Sequence, residues 1–421
     1  MGLPNTRRAL ALGWLCCALE FCGTATRLYG VELIGEPTIA LQPNAPLAAL
    51  LEFSTDAPAT ARFRVRSDKE AWLVETQTAR VDHSIPVMGL APDATYWIDR
   101  LELSGGDAIS RMESLASVTT APLPDGFVGI KLLASQPERM EPGLTLFDSR
   151  GRAEATIVVD ASGVVRWYMD QRLIGATLQA NGRLGGLAFV DDLQEIQEYD
   201  LLGHRTASWR PPDGAGSDGN IPVADTAFFH HDQVLLENGN RLAIDRQTRR
   251  VAGFPTSDTD PNAPTATRPV WQDVIVEFSP DGGIVNAWDL AEMIDPLRIG
   301  HTGVREPPRI QNWSHVNAVV YDPGDGSIIV NSRHQDATIK FDTESGELQW
   351  ILGTPSHWGP EYQPFLLTPT SGDDFLWPYH AHAPEIVPDD PTNPEGPDDP
   401  NVLRLLLHDN GNHRASAFET P

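Results

Sequence analysis

Three histidines, His231, His315 and His382, open apolar stretches of similar form: HDQVLLENG, HVNAVVYDPGDG and HAPEIVPDD. A polar turn and a second apolar run follow each of them, RLAID, SIIVN and LRLLL. Paired as the inner strands of successive sheets, these runs put the three imidazoles at matching positions, where they converge. Arg333 ends the return strand SIIVNSR and comes back to the same mouth. One guanidinium among three imidazoles makes a small positive site suited to a compact oxyanion. Imidazoles placed there can attack as nucleophiles or carry protons.

A single histidine at a strand start is more often a turn or capping residue; three in equivalent positions reverse that weighting. His83, His204, His301, His334, His357, His408 and His413 lack the register and are read as structural. Strand alternation lets only one of His230 and His231 face the channel, whereas His380 and His382 can face the same side. His380-x-His382 also has zinc-ligand spacing. No carboxylate joins it in a recognisable pattern, and Arg333 opposes a divalent cation, so no metal is expected. The acidic stretch 388–401 reads as a solvated loop, with calcium binding as a weaker alternative.

The elements that must position these residues are strands. The chain has 421 residues with 35 Gly and 35 Pro, and short apolar runs separated by Asp/Asn-Gly turns replace any sustained helical period. That pattern is all-β. A formal net charge of −27 argues against nucleic acid and against an anionic membrane surface. Residues 1–25 read as a secretory signal: Arg7 and Arg8, the run ALALGWLCCAL, then small residues, with cleavage after Ala25. The run is too short for a membrane span, which leaves a signal anchor, or a lipoprotein anchor on Cys16, Cys17 or Cys22, although none of these sits in a good lipobox. Cys16, Cys17 and Cys22 all lie in this leader, so the mature chain has no thiol. A bacterial periplasmic or secreted protein is expected.

Residues 29–121 read as a β-sandwich. Leu90 to Tyr96, LAPDATY, resembles the Leu-x-Pro-x-Thr-x-Tyr signature of fibronectin type III domains, and Thr119-Thr120-Ala-Pro resembles their close. From residue 125 to 421 a turn glycine followed by tryptophan recurs, ending at Trp167, Trp209, Trp288 and Trp350. Joined to the histidine-strand-turn-strand units, these give four strands per unit, the blade of a β-propeller. An irregular sandwich is the alternative. About five blade starts can be counted, and the chain stops soon after the second strand of the last, so a truncated propeller is expected.

Three stretches carry a closer likeness. NWSHVNAVVYDPGDGSIIVNSRHQDATIKFD (312–342), WILGTPSHWGPEYQPFLLTP (350–369) and LLLHDNGNHR (405–414) resemble the bacterial aryl-sulfate sulfotransferases. The resemblance covers most of 125–421. It implies an N-terminal β domain on a six-bladed propeller, and transfer of a sulfuryl group from a phenolic sulfate ester to a phenol. It implies no nucleotide sulfate donor and no cofactor; the partners are small-molecule phenolic sulfates and phenols. By this resemblance the nucleophile falls on His382, with His380 as fallback. His315 and Arg333 fall on the family's catalytic His and Arg, and His231 takes the remaining histidine position. A neutral imidazole attacking sulfur gives an N-sulfohistidine, with Arg333 holding the sulfuryl oxygens and lowering the nucleophile's pKa. His231 or His315 then serves the departing and incoming phenols. The chain departs from the family in lacking a cysteine pair after LLTP and in its missing C-terminal strands. Two other readings stand beside this one: a non-catalytic propeller binding an anionic ligand or protein, and a hydrolase. A formylglycine sulfatase is excluded, since no Cys-x-Pro-x-Arg or serine equivalent occurs.

Overall fold

The computed structural model describes residues 31–412, apart from 106–107, 141, 151–153, 191–192, 213–218, 259, 261, 301–302, 305–308, 372–374 and 388–401. The expected leader, the acidic stretch 388–401, His301 and His413 lie outside the described residues. Strands dominate, as the turn-punctuated sequence predicts. One turn of α-helix, Leu290–Met293, is capped by the Asp289 carboxylate.

The first six strands pair only with one another: β1 (Leu33–Gln42), β2 (Ala45–Arg66), β3 (Ala71–Glu75), β4 (Arg80–Val87), β5 (Thr95–Gly105) and β6 (Ala108–Thr119). The first half of β2 pairs with β1 and β4, and its second half with β3 and β5. The β2–β4 register slips between Ser54 and Ala59, around Pro58, which has no N–H to give a ladder. Alternation buries Leu47, Ala49, Leu51 and Phe53 from one half and Ala61, Phe63 and Val65 from the other, in one core. Tyr96 makes the corner its sequence predicts: its buried hydroxyl accepts from the Ala91 N–H (2.9 Å) and donates to Glu70 Oε1 (2.6 Å). Six strands with one shared between layers do not, however, establish the fibronectin type III class.

Five further sheets follow. They are β7 (Thr145–Ser149), β8 (Ala155–Val159) and β9 (Val165–Met169); β10 (Ile174–Leu178), β11 (Leu184–Val190), β12 (Leu193–Tyr199) and β13 (Arg205–Arg210), edged by β14 (Ile221–Pro222). Next come β15 (Phe229–Leu235), β16 (Arg241–Phe254), β17 (Ala266–Phe278) and β18 (Ile284–Asp289), with β19 (Gln311–Asn312) beside β17. The last two are β20 (Val316–Asp322), β21 (Ser327–Ser332), β22 (Ala337–Asp342) and β23 (Leu348–Gly353), then β24 (His382–Ile386) and β25 (Leu405–His408). The first strands of successive sheets, β7, β10, β15, β20 and β24, pack side by side. Antiparallel sheets arrayed on their first strands are β-propeller blades. Five are present among the described residues, against the six the resemblance implies.

The glycine–tryptophan repeat has a physical cause. Gly163, Gly203, Gly282 and Gly346 all have left-handed φ, between 71° and 88°, and each closes a hairpin whose register shifts by a bulge. A Cβ is disfavoured there. The following indoles then bridge blades: Trp167 Nε1 donates to Leu201 O, Trp209 to Pro280 O and Trp288 to Thr343 O, at 2.8, 2.9 and 3.2 Å. Every acceptor lies in the last hairpin turn of the next sheet. Burying an indole is worth at most about 4–6 kcal/mol by area, against roughly 1 kcal/mol for its hydrogen bond. Burial therefore holds the blades together, and the N–H sets their register.

Candidate active site

The first strands that carry the histidines, β15, β20 and β24, each slip in register near their starts. Between Phe229 and Gln233, β15 spends four residues where β16 spends two. Smaller slips fall between Val316 and Ala318 on β20 and between His382 and Glu385 on β24. The bulge on β15 holds His231 in left-handed backbone (φ 62°), and His315 (φ 47°) and His380 (φ 52°), just ahead of β20 and β24, share that conformation. Such conformations are costly and cluster where a side chain must be re-aimed.

The result is an array of imidazoles. His231 and His315 meet edge to face, with ring centroids 4.9 Å apart, and His315 lies 4.4 Å from His334. The main-chain N–H of Arg333 donates to the main-chain carbonyl of His315 (3.1 Å), which places Arg333 next to these rings along the chain. His382 lies within electrostatic reach of both His231 and Arg333. His231, His315, Arg333 and His382 are thus brought to one place, all four partly exposed. Arg246, from β16, adds a second guanidinium stacked over Phe228 and Trp271 at 4.2 and 4.3 Å.

A buried histidine stands behind three members of this set: His230, expected as an alternative to His231, His380, expected as the fallback for His382, and His334, expected to be structural. His230 Nδ1 is 2.7 Å from His231 Nδ1. Alternation had allowed only one of that pair to face the channel; the bulge breaks alternation, so the two rings touch. His334, read from sequence as structural, lies 2.8 Å from Arg333 Nη1 through its Nε2, while its Nδ1 lies 2.6 Å from Asn312 O. A carbonyl only accepts and a guanidinium only donates, so His334 is the neutral Nδ1–H tautomer and orients Arg333. His380 is buried, its N–H donating to Asp336 Oδ1 (2.9 Å), and its carbonyl accepts from His382 Nδ1 (3.0 Å). That bond fixes the proton of neutral His382 on Nδ1 and leaves the lone pair on Nε2.

Electrostatics keep these rings uncharged. Burial lowers His231 to about 4, helped by His230, His382 and Arg246 against Asp273. Burial, then His334, His231 and Arg333, take His315 down to about 2. His382 is lowered by burial and by Arg333 and His408, against the His380 carbonyl and Asn410. Among the described residues no group of three or more His, Cys, Asp or Glu is placed to hold a metal ion. A cleft of about 690 Å³ opens beside the array, lined by Arg298, Asp336, His357 and Tyr379 among others, but by none of the four site residues.

A stability prediction follows from the sign of these shifts. His231 has a folded value near 4 against an ordinary 6.5, so the unfolded chain binds more protons between those values. The stability His231 contributes is complete above pH 6.5 and is lost as pH falls toward 4. Asp232 works oppositely: burial raises it to about 7, while it accepts from the Gln233 and Val319 N–H groups. Its contribution is lost as pH rises through 7. Denaturant midpoints measured at pH 7 and pH 5 for wild type and His231→Gln separate the two, with a smaller drop at pH 5 expected in the variant.

The family model described as Arylsulfotransferase (ASST) matches residues 130–420. An arylsulfate sulfotransferase AssT from Lelliottia amnigena is 26% identical over 259 residues, covering 52% of this chain and 39% of the relative. An arylsulfate sulfotransferase AssT from Escherichia coli O6:H1 is 26% identical over 263 residues, covering 52% and 40%. The matched stretch thus spans about two-fifths of the length of these curated relatives. Among solved structures, a Bacteroides caccae protein of unknown function is similar at TM-score 0.31 and 11% identity, covering 84% of this chain and 90% of that one. Kuenenia stuttgartiensis hydrazine synthase is similar at TM-score 0.30 and 12% identity, covering 76% and 80%. Scores this low carry no argument.

Proposed function

The chain belongs to the arylsulfotransferase family, and from that premise we propose that it moves a sulfuryl group from a phenolic sulfate ester to a phenol through a sulfohistidine at His382. No nucleotide sulfate donor enters this scheme, and the reaction is assigned to the periplasm or the medium on the strength of the leader. The observation that carries the reading is Arg333 acting on both His315 and His382, with His231 against the His315 ring and the His382 lone pair on Nε2.

Nε2 of His382 attacks sulfur in line, the sulfur–oxygen bond to the first phenol breaks, and that phenolate takes a proton from solvent. A second phenol then attacks the sulfohistidine, the nitrogen–sulfur bond breaks, and the acceptor proton passes through a neighbouring imidazole to solvent. Arg333 meets the charge on the sulfuryl oxygens in both steps.

The test is an assay of the purified full chain with a panel of aryl sulfates, with and without acceptor phenol. New sulfate ester appearing only with acceptor is the expected result. Inorganic sulfate alone would make the protein a hydrolase. A folded sample that releases nothing across the panel removes the catalytic reading in favour of an anion-binding propeller.

A further inference from the structure

Behind His231 lies a group that the proposed reaction does not yet use. Asp273, on β17, is fully buried, and its Oδ2 accepts from Ser314 Oγ and the Val316 N–H, both at 2.6 Å. Its Oδ1 is 3.0 Å from His230 Nε2, and His230 is itself buried. Burial alone would raise this carboxyl; His230, Ser314 and Val316 instead hold it below the ordinary carboxylate range. An ionised carboxylate only accepts, so His230 must carry its proton on Nε2. Holding that one proton, His230 presents its Nδ1 lone pair to His231 Nδ1 at 2.7 Å. Two lone pairs do not face each other at that distance, so His231 donates there.

Resting on the sulfuryl-transfer reading, we infer that Asp273 and His230 are positioning residues that fix the His231 proton on Nδ1, leaving its Nε2 lone pair to take the proton of the acceptor phenol. The surroundings of His231 agree with a proton acceptor rather than a resident cation: burial, His382 and Arg246 oppose a charge there, against Asp273. His334 repeats the device within the same site, since a carbonyl fixes its tautomer and its other nitrogen orients Arg333. The left-handed backbone of His231 is what makes the contact with His230, because successive strand residues otherwise point to opposite faces. In the step itself the acceptor oxygen forms a bond to sulfur as the bond from sulfur to His382 Nε2 breaks. The phenolic proton moves to His231 Nε2 and thence to solvent.

Asp273→Asn is the sharp test. An amide NH₂ turned toward His230 donates to Nε2, moves the His230 proton to Nδ1, and forces His231 to carry its proton on Nε2. The variant is first charged with a donor whose phenol departs readily as phenolate, then mixed with acceptors of graded acidity. It still gains one sulfuryl group, but transfer to phenols protonated at the assay pH falls about 100-fold or more, within the usual range for a lost general base. Transfer to phenols already ionised changes little. His230→Asn, whose amide oxygen can accept from His231 Nδ1, recovers part of the rate that His230→Leu loses; this pair decides the matter if Asp273→Asn fails to fold. An equal loss for ionised and protonated acceptors, or no loss in a folded variant, overturns the inference. If wild-type protein itself gains no sulfuryl group, the failure belongs to the transfer reading.

Discussion

With His382 replaced by alanine, the protein no longer gains a sulfuryl group from an aryl sulfate, and turnover falls on the order of 10³–10⁶-fold, as when a covalent nucleophile is removed. Intact-mass spectrometry after brief mixing reads the first outcome, and ester formation the second. The expectation singles out His382 over His380 because their roles in the geometry differ. His382 is partly exposed, and its lone pair stands on Nε2 beside Arg333. His380 is buried, its ring 3.0 Å from Asn412 Nδ2 and 3.9 Å from Asp336, and it serves His382 through a main-chain carbonyl. That carbonyl survives substitution, so His380→Ala keeps the mass gain even where stability drops. A gain that survives in His382→Ala and vanishes in His380→Ala would move the nucleophile two residues upstream and refute the assignment.

The four residues of the site were legible because a propeller repeats itself. Once HDQVLLENG, HVNAVVYDPGDG and HAPEIVPDD are read as equivalent first strands, their histidines share a mouth, and Arg333 returns to it at the end of a strand. The glycines before the tryptophans were legible for a related reason, since a left-handed turn selects glycine. His230, His334 and Asp273 were not. Alternation along a strand is a period-two rule, and a bulge that inserts residues at the strand entrance cancels it without leaving a signal in residue type. His334 sits two residues past β21, on the 3₁₀ turn Arg333–Gln335, where no strand pattern could claim it. Asp273 lies in the middle of a strand, in the run VWQDVIVEF. The run also holds Glu277, so nothing in residue type marks Asp273 as the carboxylate with a histidine partner. The 22-residue strand β2 was hidden too, because a proline such as Pro58 gives no ladder N–H and is rare inside a strand.

Arg333 is where the second large effect is expected. Arg333→Gln is expected to lower kcat about 10²–10³-fold, the range for losing one preorganised donor to a developing oxyanion, with a smaller change in KM. Charge and shape separate in a second variant: Arg333→Lys restores a cation but not the planar pair of donors, and is expected to recover only part of the rate. The pH profile supplies a readout that mere loss of packing would not move. Arg333 is among the groups that lower His382, so its removal raises the imidazole's affinity for a proton. The acid limb of the kcat/KM profile then shifts to higher pH in Arg333→Gln and returns toward wild type in Arg333→Lys. An unmoved limb with an intact fold would mean that the guanidinium does not act on the nucleophile. Because His334 Nε2 accepts from the Arg333 guanidinium, His334→Leu is expected to weaken kcat in the same direction. It keeps the charge, and so it leaves most of the acid limb where it was.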